Sequence, residues 1–281
     1  MVDGLFHPLN IYILALGAGF LIPLFYRVGW DWALAAFYLA LGGMTLVAGV
    51  SLQGILGGGP SIEILTAGIE PPFAINLRFG LFEGIFAFCV NLAALLGAWH
   101  FQDRLRTQAA AMLLYIILVM GINGMIMTRD LFNLFIFIEI TAIATYGLLG
   151  FERTAAALAA GFKYIIATAL ASALFLLGTI FLYYLSGTLN IDDMLAEPGL
   201  LAGPIGFTAT LLLLSSLLIE LKPYPANGNY MLIDGTITGK STEEILKAAL
   251  DEKIYLQKIG EIHGKTGWAG CPCQRRRRGA F

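Results

Sequence analysis

The 281-residue chain is 58% hydrophobic and 13% charged, with a mean hydropathy of +0.78. A soluble domain carries about 25% charged residues, so water is excluded as the main solvent of this chain and the bilayer takes its place. The formal net charge of −2 leaves no electrostatic footprint for nucleic acid, and no nucleic-acid partner is expected.

Met1 to Asn10 lacks the basic stretch of a cleaved signal peptide, and the apolar run behind it is long enough to remain as a span. Runs able to cross a core of about 30 Å occur at 8–26, 31–52, 80–99, 109–128, 131–151, 156–185 and 201–222. They predict an all-α polytopic membrane protein of about seven transmembrane helices, forming a domain over residues 1–228. Barrel strands would instead alternate over about 10 residues, and these runs are continuously apolar.

Loops punctuate the spans at Arg27 to Asp31, at Gly54 to Arg78 with its three prolines, and at His100 to Arg106. Tighter joints follow at Thr128 to Leu131 and Glu152 to Thr154, and an acidic loop holds Asp192, Asp193 and Glu197. Alternating these loops across the membrane groups Arg27, Arg104, Arg106 and Arg153 with the basic tail, against Arg78 and Arg129. The positive-inside rule then predicts a plasma-membrane protein with its N-terminus outside and its C-terminal tail in the cytoplasm.

After Gly228 the hydropathy ends, and residues 229–281 read as a small polar tail. Ser241 with Glu244 resembles a capping box, and apolar residues from Ile245 to Ile259 recur at helical spacing, so one short helix is expected there. Gly235 to Ser241 looks like a phosphate loop but has three residues between its glycines where four are needed. Cys271 and Cys273 with His263 fall short of the four ligands of a structural zinc site. Neither metal nor cofactor is expected.

Most charges of the first 228 residues lie in loops. Glu139 is the exception, eight residues into a span and so about 12 Å deep at 1.5 Å per residue. An ionised group at that depth costs several kcal/mol, so it faces a partner or water and commonly marks a transport path. Lys163 lies about two turns into the sixth span, where its stem can also snorkel. Lys222 closes the seventh, ahead of Pro223 and Pro225, which break a helix; with Glu220 it reads by spacing as an interfacial pair. Burial raises the pKa of a carboxylic acid and lowers that of an ammonium, and a nearby opposite charge restores both ionised forms. A Glu/Lys pair of changing separation therefore loads and releases a proton.

The run from Thr128-Arg-Asp-Leu-Phe-Asn to Phe137-Ile-Glu-Ile, continuing through Gly161-Phe-Lys-Tyr to Ser186-Gly-Thr-Leu, resembles the antiporter-like membrane subunits of respiratory complex I. That superfamily also holds subunits of multisubunit sodium/proton antiporters and membrane-bound hydrogenases. The resemblance covers roughly residues 5–228. It implies a proton half-channel with Glu139 and Lys222 as the switching pair and Lys163 as relay, in a subunit of an NADH:quinone oxidoreductase. It also implies other membrane subunits as partners and no redox centre in this chain. An antiporter subunit and an inert shortened scaffold are the alternatives, because family members continue for several helices where this chain turns polar.

Overall fold

The computed structural model describes residues 4–65, 68–69, 74–105, 108–151, 154–197, 199–221, 232–234, 256–262 and 265–270. The chain forms two compact units, Met1–Leu221 and Lys222–Phe281.

The first unit is helical. After a 3-10 turn at Gly4–Phe6 come α1 (Asn10–Val28) and α2 (Trp30–Leu56), then two short strands, β1 (Ile62–Leu65) and β2 (Asn76–Phe79). The chain continues through α3 (Leu81–His100), a single turn α4 (Gln102–Leu105), α5 (Ala109–Met127), α6 (Leu131–Gly150) and α7 (Ala155–Ser186). It closes with α8 (Ile191–Ala196) and α9 (Pro204–Leu221).

Six of these helices, α1, α2, α3, α5, α6 and α7, are long and apolar enough to cross a membrane, and α9 is a shorter apolar helix. They coincide with the seven predicted runs. Helices form because hydrocarbon offers backbone N–H and C=O groups no partner but each other. The 54–78 stretch, which reads as loop, contains an antiparallel hairpin pairing Ile62 with Phe79 and Leu65 with Asn76.

Helix α1 packs on α2 and α5, α2 on α3, α3 on α5, α5 on α6, α6 on α7, and α7 on α9. The helices are apolar on every side, and alanines are prominent on the faces that turn inward, beside larger side chains such as Phe37, Ile22 and Met44. Ala33, Ala48, Ala87, Ala98 and Ala144 are fully buried, whereas Phe20, Leu39, Phe82 and Tyr184 are exposed. Small side chains let helix backbones approach in a solvent where association draws on packing rather than on the hydrophobic effect.

Two asparagines anchor the interior of the first four long helices. Asn91 of α3 and Asn123 of α5 are fully buried and bond reciprocally, Nδ2 of Asn91 donating to Oδ1 of Asn123 at 2.8 Å and the reverse bond measuring 3.3 Å. Each amide also donates to the carbonyl four residues back in its own helix. Replacing Asn91 by leucine leaves the Asn123 Oδ1 without its donor and should destabilise the unit by about 1–2 kcal/mol. The Asn91→Leu/Asn123→Leu double variant should lose less than the sum of the two single losses; strict additivity in a detergent-unfolding cycle would exclude coupling.

In the second unit, β3 (Leu232–Asp234), β4 (Leu256–Ile262) and β5 (Lys265–Gly270) form an antiparallel sheet in the order β3-β5-β4. The helix expected from Ser241 falls outside the described residues as far as 255, and its last residues, Leu256 to Ile259, begin β4, where Leu256, Gln257 and Lys258 pair with β5. The loop-like stretch Gly235 to Ser241, His263, Cys271, Cys273 and the arginines from 275 to 278 also lie outside the described residues.

Candidate functional site

Helix α6 carries the one carboxylate expected deep in the membrane, and its start is held by a polar knot. Asp130 caps the helix, accepting from the backbone N–H of Asn133 at 2.7 Å. The Asn133 amide donates to the Thr128 hydroxyl at 2.9 Å. Arg129 is clasped on both sides of its backbone, its N–H donating to Asn76 at 2.9 Å and its carbonyl accepting from Ile191 at 2.8 Å. Its guanidinium makes a two-pronged ion pair with Asp192 of α8, Nε to Oδ2 at 3.0 Å. Thr128-Arg129-Asp130 thus ties the β1–β2 hairpin to the segment after α7.

The charges of this knot titrate apart. The hydrogen bond from Arg129 holds the Asp192 carboxyl below its ordinary range, while burial pushes that of Asp130 up against the backbone bonds that lower it. A depressed carboxyl contributes stability above its unfolded value and loses it as pH falls through the folded one. A raised carboxyl behaves oppositely, its contribution being present at low pH and lost as pH rises. Asp192→Asn should therefore cost about 1 kcal/mol at neutral pH, modest because Asp192 is 43% exposed and screened. It should also flatten the acid limb of the stability profile below the normal aspartate range; an unchanged limb would contradict the assignment.

Along α6, Glu139 sits eight residues beyond Leu131, about 12 Å in and close to the middle of a 30 Å core. Two glycines of α5 fix its direction. A Cβ on Gly124 would collide with the Phe137 ring and one on Gly121 with the Thr141 hydroxyl, so Phe137 and Thr141 face α5 at close approach. Glu139 lies about 200° round the helix from each of them, on the side turned away from α5. The other helix packed on α6 is α7. Glu139 is half-buried, and its side chain makes no hydrogen bond or ion pair with another described residue.

Lys163 is exposed on α7. It lies eight residues beyond Ala155, about 12 Å along, while Glu139 lies eleven residues, about 16 Å, before the end of α6. Since α6 and α7 run antiparallel through a short joint, the two groups sit at similar depths on neighbouring helices, without an ion pair between them. Lys222 lies outside the described residues; α9 ends at Leu221, immediately before it. Glu83, in the first turn of α3, pairs with Arg78 at 3.3 Å and accepts from the Gly80 N–H at 3.1 Å.

Three features were not read from the sequence: the Asn91–Asn123 pair, the Arg129–Asp192 clasp and the Gly121/Gly124 contact. Asparagines and paired glycines inside apolar runs were visible signals for two of them. The clasp joins residues 63 positions apart, and no local pattern announces it.

Residues 128–226 match the model of the family described as NADH:quinone oxidoreductase/Mrp antiporter, TM. The chain is 32% identical over 199 residues to an NADH-quinone oxidoreductase subunit of Desulforudis audaxviator, covering 68% of this chain and 40% of that protein. It is 35% identical over 133 residues to a Na(+)/H(+) antiporter subunit of Alkalihalophilus pseudofirmus, covering 46% of this chain and 27% of that one. Among solved structures it resembles a chain of the membrane-bound sulfane sulfur reductase, an archaeal respiratory membrane complex, with a TM-score of 0.72 and 28% identity over 78% of this chain and 46% of that chain. The chain thus spans less than half the length of these relatives. With its apolar helices and this match, it is an integral membrane protein whose residues 128–226 belong to the NADH:quinone oxidoreductase/Mrp antiporter transmembrane family.

Proposed function

We propose that the chain is a proton-translocating membrane subunit of a complex I-like NADH:quinone oxidoreductase, working beside other membrane subunits that supply the redox energy. The observation that carries this reading is Glu139, a carboxylate about 12 Å into a membrane helix, inside the family-matched segment and turned away from the tightly packed α5. A carboxylate held there has its ionised form opposed by hydrocarbon and favoured by an approaching ammonium. In this reading Lys163, at similar depth on α7, relays the proton, and Lys222 is the partner whose distance switches Glu139 between its two forms. No metal or cofactor is needed for such a step.

The test is reconstitution of the assembled complex into liposomes holding a pH-sensitive dye. Addition of NADH and quinone should drive proton movement. The 35% identity to a Na(+)/H(+) antiporter subunit favours a second reading, exchange of protons for sodium, which would appear as sodium-dependent proton flux without NADH or quinone. Flux of neither kind would leave the scaffold reading and reject both.

The same proposal sets the N-terminus outside, because Arg27, Arg104, Arg106 and Arg153 fall in loops on one side and Arg78 and Arg129 on the other. A cysteine introduced at Ser61 should react with a membrane-impermeant maleimide in intact cells and one at Thr154 should not; the reverse pattern would invert the topology.

A further inference from the structure

A partly enclosed cavity of about 370 Å³ lies where α6, α7, α8 and α9 meet, on the side of the membrane that holds the Arg129–Asp192 clasp. Its walls are Leu131, Leu182, Met194, Leu200 and Leu213, and one carboxylate, Glu197, stands among them. Leu131 opens α6, Leu182 lies four residues, about 6 Å, before the end of α7, and Leu213 lies nine residues along α9, so the cavity sits at the membrane edge and its apolar lining suits part of an acyl tail.

The rim selects the headgroup. This face carries Arg78 and Arg129 against Glu63, Glu83, Asp130, Asp192, Asp193 and Glu197 among the described residues. Both arginines are engaged, Arg78 with Glu83 and Arg129 with Asp192. An anionic headgroup would meet uncompensated negative charge here. Glu197 is exposed, and its carboxylate makes no hydrogen bond or ion pair with another described residue. A primary ammonium donates three hydrogen bonds and pairs with such a carboxylate; a quaternary ammonium donates none. Leu195 and Leu201, both exposed and apolar, flank the opening, so a lipid beside them enters without crossing a polar barrier.

We propose that this cavity is a structural lipid site that takes one acyl tail of a phospholipid bearing a primary-amine headgroup, phosphatidylethanolamine, with its ammonium on Glu197. The bound tail adds to the packing of Met194 and Leu200 with Ala209 and Leu213 of α9, and so couples the end of α7 to the start of α9.

The test is native mass spectrometry of the full chain released from nanodiscs of equimolar phosphatidylethanolamine and phosphatidylcholine. One phosphatidylethanolamine should be retained per chain, preferred about fivefold, the effect of one charge-assisted hydrogen bond at a partly solvated site. Glu197→Gln should reduce that preference to near parity while a lipid is still retained. Leu213→Trp, which fills the deep end, should abolish retention; if that variant misfolds, Ala202→Trp, which narrows the mouth, should do the same. Equal retention of the two lipids by the wild type, detergent alone in the site, or unaltered lipid retention in the folded tryptophan variants would each overturn the proposal.

Discussion

Glu139→Gln is expected to lower coupled proton transport by about 100-fold, the lower end of what a positioned proton donor and acceptor contributes, with assembly and stability intact. Glutamine keeps the shape and hydrogen-bonding reach of the side chain but has no proton to exchange. Removing an ionisable group from hydrocarbon does not weaken the fold, because the desolvation penalty it relieves is at least as large as any pairing it loses. Glu139 has no hydrogen bond with another described residue to forfeit, so the thermal midpoint of the variant should match or exceed that of the wild type. Glu139→Asp, which can still titrate but withdraws the carboxylate by one methylene, should retain measurable transport. The readout is NADH-driven dye quenching in proteoliposomes at matched protein loading. Wild-type transport by Glu139→Gln would remove the observation on which the functional reading stands.

Gly124→Leu is expected to be the most damaging substitution in the bundle. A Cβ at this position enters the ring of Phe137, and Phe137 has little freedom to yield because its ring stacks on Tyr12 of α1, centroids 6.1 Å apart. Four added carbons must push α5 and α6 apart, an overpacking cost of about 3 kcal/mol or more. The loss spreads, since Gly121 one turn away holds the same helix pair at the Thr141 hydroxyl. Separation of α6 also displaces Glu139, two residues beyond Phe137, so transport should fall together with the unfolding midpoint. That coupled fall distinguishes the variant from Glu139→Gln, which spares the fold. Gly17→Leu on α1 is the control, because a Cβ there meets nothing within 4 Å. Equal midpoints for the Gly124 and Gly17 variants would show that the close approach of α5 and α6 carries no energy.

The spans were legible because their signal is length and continuity. Hydrocarbon imposes internal backbone bonding on any stretch of about 20 apolar residues whatever its neighbours do, so α1, α2, α3, α5, α6, α7 and α9 stand where the runs predicted them. The depth of Glu139 was legible for the same reason, by counting at a fixed rise per residue. The β1–β2 hairpin was not. Its alternation at Ile62, Ile64, Leu77 and Phe79 is split between two short pieces flanked by glycine and proline, and four residues on each side are too few for a period to speak. Leu256 to Ile259, the described end of the helix expected from Ser241, lie in β4 and show the same limit: spacing of apolar residues over a short segment does not decide between periods until a pairing partner is known.

What the sequence determined by itself is the solvent of this protein, its helices and the place of Glu139 along α6, because each depends on local composition and rise. The direction of Glu139 around α6, the burial of alanines over leucines, the Asn91–Asn123 bond and the Arg129–Asp192 clasp were decided by tertiary structure. In a chain apolar on every face, hydrophobicity no longer distinguishes inside from outside; close packing of small residues and pairing of distant polar groups must do so, and both exist only once the helices have met.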